Sequence, residues 1–263
     1  MNSCPPPGPR PVPMPPVIDI IFQNADLVVV NKPPGMLVHR AWMGNDTCFL
    51  LQTLRKQLGR LVFPAHRLDR PTSGLMVLAL NQGAVSRLGL AFQGGEVEKS
   101  YLAVARGWLH EGAVIDYPLK KEGVGEEQEA ITHYEPLARV EFPWPVAGFA
   151  TARYSLLRIT PKTGRWHQIR RHLAHIRHPL VGDIGHGDGK HNRLFREHLH
   201  IHRLLLHASW LSFPDPASGE PLAFSLAPDE SFRRVFPEMS AERWATTTGR
   251  TLDGAPAGSG VDG

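Results

Sequence analysis

The sequence predicts one α+β domain between two loose ends, and three observations carry that reading. Short apolar runs bounded by Gly, Pro and Asn recur from residue 17 to 227, which is how strands punctuate a chain. Only a few segments carry apolar residues at helical spacing. No repeat and no linker interrupts residues 17–240, so strands and interspersed helices share one core. With 263 residues, 42% of them hydrophobic, the chain has ample length to build that core.

The opening MNSCPPPGPRPVPMPP, residues 1–16, reads as a proline-rich disordered tail without the apolar stretch of a signal peptide. No run in the chain approaches the ~20 apolar residues that span a bilayer. Val17–Val30 reads as a strand that closes at the turn NKPPG, residues 31–35. Asp46 can cap a helix over Thr47–Leu58 that Gly59 ends. Leu75–Leu80 reads as a buried strand, and Gln82–Phe92 as a helix stopped by Gly94-Gly95. Lys99–Arg106 is a strand with Tyr101, Ala103 and Ala105 on one face, and the charged stretch Lys120–Glu129 is a loop. Ile131–Phe142 and Ala152–Thr160 form a strand pair joined through PWPVAG. After Gly164 a short helix carries the stripe Trp166, Ile169, Leu173 and Ile176. Arg170 lies beside that stripe, where it can border the core, point into a cleft and be lost without unfolding the chain. Arg203–Phe213 and Pro221–Leu226 are later strands, and residues 241–263 read as a loose C-terminal tail.

Two cysteines, Cys4 and Cys48, with one in the tail, leave no basis for a disulfide framework and fit a reducing cytoplasm. The net charge of +4 is unevenly spread. From Arg153 to His207, eleven basic residues stand against three acids, a local balance of +8, and ten of the fourteen histidines fall there too. A polyanion is the natural partner for such a patch; the alternative is a solvated basic face.

The most informative segment is HRLDRPTSG, residues 66–74. It sets Asp69 between Arg67 and Arg70, stiffens the chain at Pro71 and turns it at Thr72-Ser73-Gly74. Proline disfavours the helical region for the residue before it, so Arg70 should be extended and Asp69 held on a rigid loop. A carboxylate among cations is available as a nucleophile or base. The ordinary alternative is a surface ion pair beside a Ser/Thr turn.

That string resembles the signature motif of the RluA-type pseudouridine synthases. VNKPPGMLVHR (30–40), EKSYLAVARG (98–107), PKTGRWHQIRRHLAHIRHPLVGD (161–183) and RLLLHASWLSF (203–213) resemble further blocks of that family, in the family's order. The resemblance implies a pseudouridine synthase fold, a mixed, mostly antiparallel β-sheet with flanking helices, and a single catalytic domain at 17–240. It also implies an isomerase acting on RNA, which breaks the C1′–N1 bond of a uridine, turns the uracil and rejoins it through C5. Asp69 then matches the nucleophile. Arg170 would pair with Asp69 and fix it through two-pronged contacts; its alternative is a phosphate contact. Tyr101 would stack on the extruded uracil and take its C5 proton, and otherwise is a half-buried strand tyrosine. Arg67 would fill the hole left by the flipped base, and Leu206 would line the pocket or serve the core. No cofactor or metal is implied; a metal held by the histidines is the rival reading, and with it a metal-dependent nuclease. HGD (186–188), LVHRAW (37–42) and THY (132–134) resemble a tRNA-modifying branch assigned to uridine 65. The partner is therefore tRNA, with ribosomal RNA or a non-catalytic RNA-binding role as alternatives, and neither a protein partner nor a state beyond monomer is implied. Two departures stand out. The loop Lys120–Glu129 is short for that branch, and residues 1–16 are too few for the small N-terminal RNA-binding module some relatives carry.

Overall fold

The computed structural model describes residues 16–39, 48–121 and 125–248. The proline-rich opening before Pro16, the expected cap Asp46 and the residues after 248 lie outside them.

Where one strand was expected over Val17–Val30, there are two, β1 (Asp19–Gln23) and β2 (Leu27–Lys32), paired antiparallel. The Asn24 side chain makes the turn, accepting hydrogen bonds from the Asp26 and Leu27 amides at 2.9 Å each. Helix α1 (Leu50–Leu58) ends, as the sequence predicts, at Gly59 in the left-handed region. Strands β3 (Phe63–Pro64) and β4 (Ser73–Ala79) follow, then α2 (Gln82–Gly94), capped by the Asn81 side chain and closed at Gly95. The chain continues through β5 (Glu98–Arg106), β6 (Ala113–Asp116), a small hairpin of β7 (Leu119–Lys120) and β8 (Glu127–Gln128), β9 (Ile131–Phe142) and β10 (Ala152–Pro161). The stretch expected as plain loop over Lys120–Glu129 thus holds part of a two-stranded ribbon. Helices α3 (Gln168–His175) and α4 (Gly189–Leu199), strands β11 (Leu206–Pro214) and β12 (Pro221–Ser225), and helices α5 (Glu230–Val235) and α6 (Ala241–Thr248) complete the chain. Of these, α4, α5 and α6 carry no signal that the sequence reading used, and α6 begins the segment expected to be loose. No helix among the described residues is long and apolar enough to cross a membrane.

The main sheet runs β1-β2-β4-β11-β5-β10-β9-β6, with β3 beside β4 and β12 beside β11. Every pair is antiparallel except β4 with β11. Alternation along the strands sorts the core. Ala103 and Ala105 of β5 pack with Ile169 and Leu173 of α3, whereas Leu102 and Val104 pack with Phe195, Phe232 and Trp244 of α4, α5 and α6. The β9–β10 ladder carries a bulge where Pro136, which has no amide to donate, replaces a regular partner.

The parallel seam between β4 and β11 is two residues long, Ser73 and Gly74 against His207 and Ala208. Gly74 has φ +109°, and a Cβ there would lie 2.3 Å from the Ala208 carbonyl oxygen. Only glycine lets the two backbones meet there. The residues just before the seam, 69–72, are those of the Asp69 turn.

Candidate active site

The Asp69 turn is fastened from beneath. The Thr72 amide donates to the Asp69 carbonyl at 3.1 Å, and the Gly35 amide to the Arg70 carbonyl at 2.8 Å. The Arg70 Nε returns a bond to the Gly35 carbonyl at 3.0 Å. Below them Lys32, fully buried at the end of β2, donates Nζ to the carbonyls of Pro33 (2.9 Å), Arg70 (3.1 Å) and Thr72 (2.8 Å). All three ammonium protons are used, so the lysine ties the NKPPG turn to the nucleophile loop. Burial, with Arg203 nearby, pushes its amine down to about 7, while Asp69 pulls the other way. The sequence reading took NKPPG as a turn and as part of the block VNKPPGMLVHR without giving Lys32 a role.

Asp69, Arg67, Tyr101, Arg170 and Leu206 all line one cleft of about 980 Å³. Arg67 is exposed at its rim, and Leu206 is buried in the wall as part of the α3 cluster. Tyr101, half-buried on β5, touches the two clusters that flank the cleft. Burial and the Asp69 charge raise its phenol above the ordinary range.

Arg170 departs from the expectation in one respect. Its two-pronged contact goes to Asp183, Nε to Oδ2 at 2.7 Å and Nη2 to Oδ1 at 2.8 Å, and only Nη1 reaches Asp69 Oδ2, at 3.3 Å. Asp183 is itself held, its Oδ1 accepting from the Gly185 and His186 amides at 2.9 and 3.0 Å. Burial would raise its carboxyl, but the Arg170 bonds and these amides outweigh that and leave it below its ordinary value. A guanidinium clamped on one side offers its remaining edge in a fixed direction, which orients Asp69. Asp183 was missed although it ends the block that carries Arg170.

Gln168 sets the start of α3. Its Oε1 accepts from Thr163 Oγ1 (2.7 Å) and the Arg165 amide (2.9 Å), and its Nε2 donates to the Ile131 carbonyl and Thr132 Oγ1. The Thr-Gly-Arg turn is thus pinned to β9, and Arg170 projects from the same first turn of α3.

Several of the histidines satisfy internal polar groups. His172 bridges Thr132 and the Tyr117 carbonyl, His178 donates to the Arg106 carbonyl, and His66 accepts from the Val77 amide. Among the described residues no group of His, Cys, Asp and Glu is arranged to hold a metal ion. His207 locks the β4–β11 seam. Its Nε2 donates to the Leu226 carbonyl (3.2 Å) and its Nδ1 accepts from Ser73 Oγ (2.9 Å), which accepts from Arg203 (2.6 Å). Burial lowers this imidazole from 6.5 to about 4. The unfolded chain therefore binds a proton that the folded one refuses between these values, and stability should fall as pH drops through that window. The slope in wild type should exceed that of a His207→Asn variant by about one proton, ~1.4 kcal/mol per pH unit. Urea unfolding of both proteins across that range measures it, and equal slopes would remove the histidine from the account.

Comparison with known proteins settles the family. Residues 26–175, more than half of the chain, match the RNA pseudouridylate synthase family. The chain belongs to that family. The pseudouridine synthase resemblance drawn from its motifs thus holds. It is 50% identical to the tRNA pseudouridine synthase C of Vibrio cholerae over 85% of this chain and 96% of that one. With the protein of that name from Yersinia pestis it shares 43% over 87% and 92%. The fold matches human RNA pseudouridylate synthase domain containing 1, with TM-score 0.69 and 22% identity over 88% of this chain and 94% of that one. Domain containing 4 matches at TM-score 0.62 and 24% identity, over 83% and 93%. The α+β fold with a mixed, mostly antiparallel sheet is therefore that of the pseudouridine synthases.

Proposed function

We propose that this pseudouridine synthase acts on tRNA and isomerises one uridine, uridine 65, with Asp69 as nucleophile. The observation that carries the reading is Asp69 Oδ2 at 3.3 Å from a guanidinium that Asp183 clamps, inside a cleft large enough for a base and its ribose. The curated relatives named for tRNA support the substrate. Asp69 attacks, Arg170 orients it, and Tyr101 offers its ring face to the extruded uracil and its hydroxyl oxygen to the C5 proton. Leu206 forms the apolar wall, and Arg67 at the rim fills the vacated stack. The chemistry calls for no Lewis acid or redox partner, so no cofactor is assigned. The catalytic domain is placed at 17–240, with α6 packed against it through the buried Trp244. The protein is assigned to the cytoplasm as a monomer, with tRNA as its partner.

The test is an assay of purified protein, in a strong chelator, on a tRNA transcript carrying that uridine and on ribosomal RNA fragments. Pseudouridine should form in the tRNA only. Binding should weaken steeply with salt, because each phosphate contacted by the +8 segment from Arg153 to His207 contributes roughly 0.7–0.9 to the log–log slope. Modification of the ribosomal fragments alone would overturn the substrate and spare the chemistry.

A further inference from the structure

The cleft holds a cation to which the roles above give no work. Lys99 stands two residues before Tyr101 on β5, on the same face of the strand and ~7 Å along it. Its Nζ lies 5.8 Å from the centre of the Phe92 ring, which stacks on His66 with ring centres 4.5 Å apart. On the facing wall is Gly164 of the Thr-Gly-Arg turn, where a Cβ would lie 3.9 Å from the same Nζ. The half-buried lysine thus reaches across the cleft, from β5 toward bare backbone. Among the described residues its ammonium makes no hydrogen bond and no ion pair. Burial lowers its amine from 10.5, and no carboxylate opposes that shift.

We propose that Lys99 is a phosphate subsite of the cleft, where its ammonium receives the RNA phosphodiester beside the extruded uridine. This rests on the reading of the cleft as one that takes an extruded uridine. No bond is made or broken at this position. The lysine positions the nucleotide and sets how far its base enters.

A cation held partly out of water without a counter-charge costs the free protein stability. Dehydrated charges of this kind gather at functional sites. The group that restores the balance has to be an anion that fits between the Phe92 ring and the Gly164 turn. An extruded uridine brings one with it, because its phosphates follow the sugar to the cleft wall when the base leaves the stack. The phosphate of a nucleotide stands about one sugar away from its base, and Lys99 stands one strand repeat away from the ring of Tyr101.

The other cations of the cleft are placed differently. Lys121, Lys162 and Arg165 line it too, but all three are exposed and keep their water. They add an attraction that salt screens. Arg170 is committed to Asp183 and Asp69. At Lys99 part of the cost of stripping water from the cation is met before RNA arrives, so a phosphate there gains more than one at the rim. Phosphate is common to every nucleotide, so Lys99 does not choose the base. It fixes the register in which the base is presented.

Lys99→Met keeps the length of the side chain and removes its charge. Its melting temperature should hold or rise, because a partly dehydrated cation is gone. Its affinity for a tRNA transcript should fall about tenfold or more. The log–log salt slope should drop by roughly 0.7–0.9, the share of one phosphate. A single neutral methylphosphonate, placed on either side of the target uridine in turn, identifies the contact. At one of those two positions it should weaken wild type as the substitution does, and leave Lys99→Met no weaker than before. An unchanged salt slope overturns the proposal, and so do losses that add in full at both positions. Lys99→Gln supplies the same comparisons should the methionine variant not fold. Wild type that binds the transcript yet forms no pseudouridine would overturn the parent reading instead, and the coupling between Lys99 and the phosphate is measured by binding either way.

Discussion

An Asp69→Asn variant is expected to fold, bind RNA and form no pseudouridine, a loss on the order of 10⁴-fold or more, as removal of a nucleophile gives. The amide keeps the shape of the carboxylate and can still accept the Arg170 Nη1 hydrogen bond, which spans 3.3 Å in the wild type. The turn beneath it is made by main-chain bonds and by Lys32, none of which uses the Asp69 side chain. What the substitution removes is the charge and the nucleophilic oxygen. Mass spectrometry of RNA after long incubation with a clean preparation measures the residue of activity. A variant that still turned over at a measurable rate would reassign Asp69 to binding.

Much of this fold was legible because the strands alternate and the turns carry their own chemistry. Gly59 and Gly95 end helices where the sequence said they would, both left-handed. The split of Val17–Val30 into two strands was readable in principle, since Asn24 makes its turn by accepting two amides, but a continuous apolar pattern masked it. Helix α4 was not legible. Its apolar residues are few, and what places it is Phe195, buried against Trp144 and Tyr154 far along the chain. Nor could local pattern reveal that β11 runs parallel to β4, a pairing decided by the missing side chain at Gly74.

The site shows the same division. Asp69, Arg67, Tyr101, Arg170 and Leu206 were picked from separate segments, and the fold brings all five to one cleft. The residues that were missed act on these and not on a substrate. Lys32 and Asp183 are buried ions whose partners are a lysine-facing row of carbonyls and the far edge of a guanidinium. Sequence shows which chemistry a side chain can do; what holds that side chain in place depends on contacts between residues distant in the chain.

Arg170→Met is the second large effect, and it is expected to lower stability as well as rate. Arg170 and Asp183 expose 5% and 1% of their side chains. Removing the arginine leaves a buried carboxylate without its cation, which costs about 3–5 kcal/mol, besides a rate loss on the order of 10²-fold or more from the disoriented nucleophile. The two losses are separable. Asp183 in the wild type lies below its ordinary 3.8 because the Arg170 bonds, with the His186 and Gly185 amides, outweigh burial; without Arg170 the carboxyl should rise from that lowered position. A carboxyl that sits higher in the variant than in wild type weakens the variant's fold as pH rises, so the stability gap between variant and wild type should be widest at neutral pH and narrow as pH falls. Adding Asp183→Leu removes the buried charge altogether. The double variant should recover part of the stability, since it removes the unpaired buried charge but leaves the Gly185 and His186 amides without their carboxylate acceptor, and should stay as inactive as Arg170→Met alone. Urea unfolding at several pH values and single-turnover rates on the same three proteins decide the matter. Recovery of activity together with stability would mean that Arg170 serves the fold alone, and that Asp69 is oriented by something else.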